Sequence, residues 1–198
     1  MHTILTISRQ FASGGHSIGV EAAKRLGIPC YDEELIQGIA RQSGLTEDYL
    51  RESSERVQGG LASLFSQDSR EEAALRSYVW NLQKQTLLDL AEKEDCVIVG
   101  RCGHLVLRDA AKLLRVYIHA DDDFRLRRIR EEYEGWEGAP ERRLRKKDAE
   151  RIAYYEQFTD HRWGDPEDFD LTLNSGTLGR ETCADLICVC YERIKNEK

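Results

Sequence analysis

Apolar and polar positions along the chain form short strand-like runs separated by longer stretches with helical spacing. Thr3-Ile4-Leu5-Thr6-Ile7-Ser8 is brief and β-branched, as a buried strand should be. It runs into a glycine loop, Ala12-Ser13-Gly14-Gly15-His16. Ser17 to Leu26 predicts a helix, with Ile18, Ala22 and Leu26 on one side and Gly27 as its stop. Ile28-Pro29-Cys30-Tyr31 predicts a short second strand, and Asp32 an N-cap for a helix over 33–42. From 43 to 70, Ser43-Gly44, Ser53-Ser54, Gly59-Gly60 and the serines up to Ser69 break every period, which predicts short helices in connections. A long helix follows over 70–93, with Leu75, Val79, Leu82, Thr86 and Leu90 near 3.6-residue spacing.

Cys96-Val97-Ile98-Val99 is continuously apolar, so it predicts a central strand buried on both faces, ending in Gly100-Arg101. Residues 113–119 predict the next strand, 121–134 an Arg-rich helix, 135–140 a break and 141–158 another helix. Phe169 to Leu173 predicts a last strand, Asn174-Ser175-Gly176 a loop, and the chain closes in a helix from about Arg180. Strands alternating with helices imply a parallel sheet covered on both faces. Such sheets bind ligands beyond the carboxyl ends of their strands, where both glycine-bearing turns lie.

Composition narrows the classes. The 198 residues suit one domain, and 40% apolar with 33% charged residues is a soluble globular balance. Lys and Arg total 29 against 36 Asp and Glu, a net charge of −7, opposite to a duplex nucleic-acid binder. No run of 18 apolar residues exists to span a membrane, and the amino end lacks the cationic start of a secretory signal. Six cysteines without a CxxC pair or zinc spacing read as reduced, small hydrophobes, which fits a cytoplasmic location.

Three constellations carry chemistry. The first is the strand–glycine loop–helix, where free amides at a helix start and flexible glycines make Ser13, Gly14, Gly15, His16 and Ser17 a phosphate cradle. Against the full Walker pattern the match is partial: Gln10 takes the first Gly position and His16 the Lys position. Ser17 stands where a Mg²⁺ ligand belongs, and an ordinary strand-to-helix turn accounts for the same residues. The second is Arg101, whose planar guanidinium suits a phosphate oxygen pair or a neighbouring carboxylate. The third is the basic stretch that includes Arg125, Arg128, Arg142, Arg143 and Arg151, two helices about a glycine break, read either as a hinged lid over anions or as a solvated face. Asp148 and Arg151 are three apart, placed for an ion pair or for an acceptor and a donor to one nucleotide.

Taken in order, these segments resemble the cytidylate kinase-like proteins. The resemblance rests on Ile7-Ser8-Arg9-Gln10, Ser13 to Gly19, Ile28 to Ile36 and Val97 to Arg101. It continues through Asp148, Arg151, Tyr154, Tyr155, Trp163-Gly164-Asp165-Pro166 and Phe169-Asp170-Leu171. It covers nearly the whole chain and is weakest over 43–95.

The resemblance implies a single-domain α/β three-layer P-loop fold with a central parallel sheet. That fold carries a helical monophosphate-binding insertion, here about 33–95, and a lid, about 124–147. The implied activity is transfer of the terminal phosphoryl group of ATP, with Mg²⁺, to a nucleoside monophosphate such as CMP or dCMP. The implied roles give the donor phosphates to Ser13, Gly14, Gly15, His16 and Ser17, with Ser17 also on the metal. Arg101 and Arg151 hold the acceptor phosphate, Asp148 meets the acceptor sugar, and Arg125 and Arg128 belong to the lid and, with His16, are the catalytic residues that stabilise the transferring charge. The chain departs from authentic cytidylate kinases at His16 for the Walker Lys, and at Cys102 for Asp. It has His104 where the close relatives often carry an acid. Arg9 is a candidate for the missing charge. Two other readings stay open: a nucleotide-binding regulatory module without turnover, and a kinase of an unrelated metabolite. Oligomeric state is left open.

Overall fold

The structure, a computed structural model, describes residues 1–33, 35, 36, 38, 70–133 and 138–197, with the backbone alone for 70–76. The predictions for 39–69 and for Gly135-Trp136-Glu137 lie outside the described residues. Five parallel strands form one sheet: β1 (Thr3–Arg9), β2 (Cys30–Tyr31), β3 (Cys96–Val99), β4 (Lys112–His119) and β5 (Leu171–Asn174). Their spatial order is β2-β3-β1-β4-β5, so β1 is central. Ile7 pairs with Val99 on one side and with Val116 on the other, which brings the ends of β1, β3 and β4 to one edge.

Among the described residues, the longer helical elements around it are α1 (Gly15–Leu26), α2 (Arg70–Lys93), α3 (Gly103–Val106), α4 (Asp122–Glu132), α5 (Pro140–Phe158) and α6 (Ser175–Asn196). Side chains alternate across each strand. Leu5, Ile7, Val97, Val99 and Val116 face Ile18 and Ala22 of α1 and Ile187 and Tyr191 of α6. Ile4, Cys96 and Ile98 face Leu87 and Ala91 of α2 on the other side. Ile4, Leu5 and Ile7 are almost fully buried, and each contributes about 1.5–3 kcal/mol. Tyr191 donates its hydroxyl to Thr3 O at 2.9 Å, tying α6 to the start of β1.

Several boundaries differ from the expectations. Helix α1 begins at Gly15, so Ser17 lies in its first turn rather than at its first position. The closing helix runs from Arg180, as expected, and is preceded by an extra turn that starts at Ser175. Asn174 caps that turn by accepting from the Gly176 and Thr177 amides at 3.0 and 3.3 Å, and Gly179 interrupts the helix at φ 78°, ψ 163°. The helix expected after β2 is capped by Asp32, whose Oδ1 accepts from the Leu35 amide at 3.1 Å. All six cysteines are free. No helix of the described residues is long and apolar enough to cross a membrane.

Candidate active site at the carboxyl edge of the sheet

The glycine loop leaves β1 and enters α1 through Gly14, whose φ of 84° is the left-handed conformation open to glycine at little cost. No acidic residue lies in the first turn of α1, and Lys24 and Arg25 lie in its last, so the helix dipole is left unopposed at the loop. The first intrahelical bond runs from Ile18 N to Gly14 O at 3.0 Å. The amides of Gly15, His16 and Ser17 thus have no acceptor among the described residues.

Side chains behind the loop fix its shape. Ser13 is fully buried, with its hydroxyl 2.9 Å from Gln10 O and 3.1 Å from Ile118 O. It therefore shapes the loop and offers a ligand only main-chain groups. Gln10 Oε1 accepts from the Ala120 amide at 3.1 Å, and Ser175 Oγ lies 2.5 Å from Ser13 O. Ends of β4 and α6 hold the loop, so its amides are positioned before any ligand arrives. His16 is half-exposed, with Nε2 3.0 Å from Asp32 Oδ2.

Arg101 follows β3 in a turn where Gly100, Arg101 and Cys102 all have positive φ, at 88°, 58° and 54°. Two successive non-glycine residues there store strain of about 1–3 kcal/mol each. Its guanidinium pairs with Glu33 and lies 4.9 Å from the centre of the Tyr154 ring. Behind it, Trp80 stacks on Phe158 at 4.5 Å, and Tyr154 donates to Gln83 Oε1 at 2.7 Å. Burial raises the Tyr154 phenol to about 12, and the Cys102 thiol likewise to about 12, so neither ionises near neutrality.

The expected i,i+3 pair between Asp148 and Arg151 does not form. Asp148 instead accepts from the Phe11 amide at 2.8 Å and from Arg125 Nη1 at 2.5 Å. Arg151 Nη1 donates to Arg9 O at 3.1 Å, and its guanidinium lies over the Phe11 ring at 5.6 Å. Arg125 is buried rather than displayed on a solvated face, with a second bond to Asp122 Oδ1 at 2.5 Å. Arg128 donates to Ala12 O at 3.4 Å and pairs with Glu132. Phe11 and Ala12 pack with Ile129 and Leu144, which joins the loop to α4 and α5.

A polar chain that the sequence did not reveal runs behind the site. Ser8 Oγ lies 3.3 Å from His104 Nδ1, His104 Nε2 lies 3.2 Å from Tyr155 Oη, and Tyr155 donates to Asp168 Oδ2 at 3.0 Å. Since Tyr155 gives its one proton to Asp168, it must accept from His104 Nε2–H. That leaves Nδ1 to accept from Ser8. His104 is neutral, its pKa pushed down to about 4 chiefly by burial.

Magnesium needs oxygen ligands, often one protein group with substrate phosphates and waters. The described residues contain no cluster of three His, Cys, Asp or Glu to cage a metal. The Ser17 hydroxyl, in the first turn of α1, fits the looser arrangement.

Comparisons with known proteins bear on the fold and the family. No curated protein sequence matches the chain. An uncharacterized protein from Eubacterium ventriosum superposes with a TM-score of 0.74 at 24% identity, covering 99% of this chain and all of that one. Shikimate kinase from Acinetobacter baumannii, solved with shikimate, gives 0.53 at 15% identity over 100% and 96% of the two chains. Deoxyadenosine kinase from M. mycoides, solved with the products dCMP and dCDP, gives 0.50 at 13% identity over 96% and 99%. These likenesses show the α/β P-loop kinase fold. The profile of the cytidylate kinase-like family matches residues 4–177, nearly the full length, and the chain belongs to that family.

Proposed function

We propose that this protein transfers the γ-phosphoryl group of ATP, with Mg²⁺, to a small molecule, first among candidates a nucleoside monophosphate such as CMP or dCMP. The observation that carries the reading is that the loop after β1, with its free main-chain amides, Arg101 after β3, and Arg151, bonded to Arg9 O, all lie at the carboxyl edge of the sheet. The amides suit a polyphosphate and the two arginines an acceptor phosphate. Family membership supports the class of activity.

In this reading the amides of Gly14, Gly15, His16 and Ser17 cradle the donor phosphates, and the His16 ring adds a donor. Ser17 Oγ would hold magnesium, which would supply positive charge near the leaving group. Arg101 and Arg151 aim an acceptor phosphate oxygen at the γ-phosphorus. That oxygen forms the new P–O bond, the bond from the γ-phosphorus to the β–γ bridging oxygen breaks, and ADP leaves with the electron pair. The acceptor oxygen is already ionised, so no general base is needed. Asp148 is offered to the acceptor sugar. Arg125 acts by holding that carboxylate, and Arg128 closes the loop side.

The test is ADP release from MgATP with a panel of monophosphates. Acceptor-dependent ADP supports the reading, and no ADP above background with any acceptor contradicts it. A nucleotide-binding module without turnover is favoured by one observation: position 16 carries an imidazole tied to Asp32 instead of an ammonium. MgATP binding without ADP formation, in both the natural protein and His16→Lys, selects that reading. Acceptor-stimulated ADP release by a compound outside the nucleotides selects a kinase of another metabolite.

A further inference from the structure

Three guanidinium groups converge at this edge, and two are accounted for. Arg101 pairs with Glu33 and lies on Tyr154, and Arg151 is bonded to Arg9 O and lies on Phe11. The third belongs to Arg9 at the end of β1, whose guanidinium makes no hydrogen bond or ion pair with any described residue, although its main-chain oxygen accepts from Arg151. Gly15 packs directly on Arg9 Cβ and Cγ, and Gly100 on Nη1, so that a Cβ at either glycine would collide with it. Burial, then Arg151 and Arg101, push the Arg9 pKa down to about 9. Asp32 pulls the other way, but its carboxylate lies 3.0 Å from His16. A cation without a partner beside two other cations is costly, and folds keep one where a ligand brings the opposite charge.

We propose that Arg9 is a catalytic residue, its guanidinium contacting the transferring phosphoryl group in place of the ammonium absent at position 16. The stem of Arg9 passes beneath Gly15, whose amide belongs to the donor cradle, and its head reaches Gly100, beside Arg101 of the acceptor side. The γ-phosphoryl group must travel between those two sides, and among the described residues Arg9 is an unpaired guanidinium between them. A planar fork of N–H donors matches the equatorial oxygens of that group as charge spreads over them. His16, 55% exposed and held by Asp32, offers a weaker and more screened charge. The inference rests on the phosphoryl-transfer reading and adds to it the residue that replaces the lysine.

The experiment is calorimetric binding of MgATP and MgADP to the natural protein, Arg9→Met, Arg9→Lys and Arg9→Met/His16→Lys, with thermal melting to show that each folds. A cation on the γ-phosphoryl group should make the natural protein prefer MgATP over MgADP by at least about tenfold, the size of one charge-assisted hydrogen bond. Arg9→Met should abolish that preference while leaving MgADP affinity unchanged. Arg9→Lys should keep part of it, and lysine at 16 should restore it in the double variant. An unchanged ATP-to-ADP ratio in a folded Arg9→Met or Arg9→Lys protein overturns the role of Arg9 and leaves phosphoryl transfer standing. Loss of CMP binding with the ratio intact likewise overturns it, because it moves Arg9 to the acceptor. Absence of any MgATP or MgADP binding by the natural protein sinks both proposals together.

Discussion

Arg125 and Asp148 meet at 2.5 Å inside the wall that joins α4 to α5. Both side chains are buried or nearly so, and the Phe11 amide donates to the other carboxylate oxygen at 2.8 Å. Arg125 Nε has no partner, so the guanidinium depends on Asp148 and Asp122 for its compensation. Removing one member of such a pair costs about 3–5 kcal/mol. Asp148→Ala should therefore lower the melting temperature by roughly 10 °C, and Arg125→Met in the same protein should recover much of the loss. A shift below about 3 °C for the single variant would show that this pair does not hold the wall.

His104 makes stability depend on acid. Its pKa is pushed down to about 4, whereas histidine in the unfolded chain titrates near 6.5. The folded form stays neutral while the unfolded form takes up a proton as pH falls. Stability is full above pH 6.5 and is lost between about 6.5 and 4, by about 3 kcal/mol from this group. Urea unfolding at pH 7, 5.5 and 4 should show that loss, and His104→Phe should reduce it. Identical pH slopes for the two proteins would contradict a buried neutral imidazole.

Gly100 and Gly27 separate backbone strain from the site. Both have positive φ, at 88° and 67°, so alanine costs each about 1–2 kcal/mol of stability. A Cβ at Gly27 meets open space, whereas one at Gly100 meets the Arg9 guanidinium. Gly100→Ala should lower acceptor-dependent kcat/KM strongly, and Gly27→Ala should leave it unchanged at a similar melting temperature. Equal kinetic effects would remove the Gly100 turn from the site.

Arg101→Ala and Arg151→Ala should each lose about 2–4 kcal/mol of transition-state stabilisation, or roughly 30- to 1,000-fold in kcat/KM. The rise in KM should fall on the acceptor and not on MgATP. Unchanged acceptor kinetics would take both arginines out of the acceptor side.

Much of this architecture is legible in one sequence because it is written locally. The β1–loop–α1 unit is carried by a β-branched run, adjacent glycines and a one-sided helix, and β3 by four successive apolar residues. Four-residue α3 has no periodicity to read, and the first turn of α6 is set by the Asn174 cap, with no apolar repeat before its Gly179 kink. The Arg-rich composition of α4 hides that Arg125 points inward, since its buried partner Asp148 lies on a different helix, α5. Ser8, His104, Tyr155 and Asp168 form one chain from four separate parts of the fold, and spacing along a single sequence carries no trace of it. In the sequence, the missing lysine at position 16 is the signal that points to Arg9 as a substitute charge. Its isolation among three cations is a property of the folded edge.

The account turns on whether the loop between β1 and α1 grips a polyphosphate through its main chain. Titration of ¹⁵N-labelled protein with MgATP, followed by amide resonances, measures this directly. The amides of Gly14, Gly15, His16 and Ser17 should move and saturate together, while Gly27 at the far end of α1 stays in place. Loop resonances unmoved at millimolar MgATP would contradict the account.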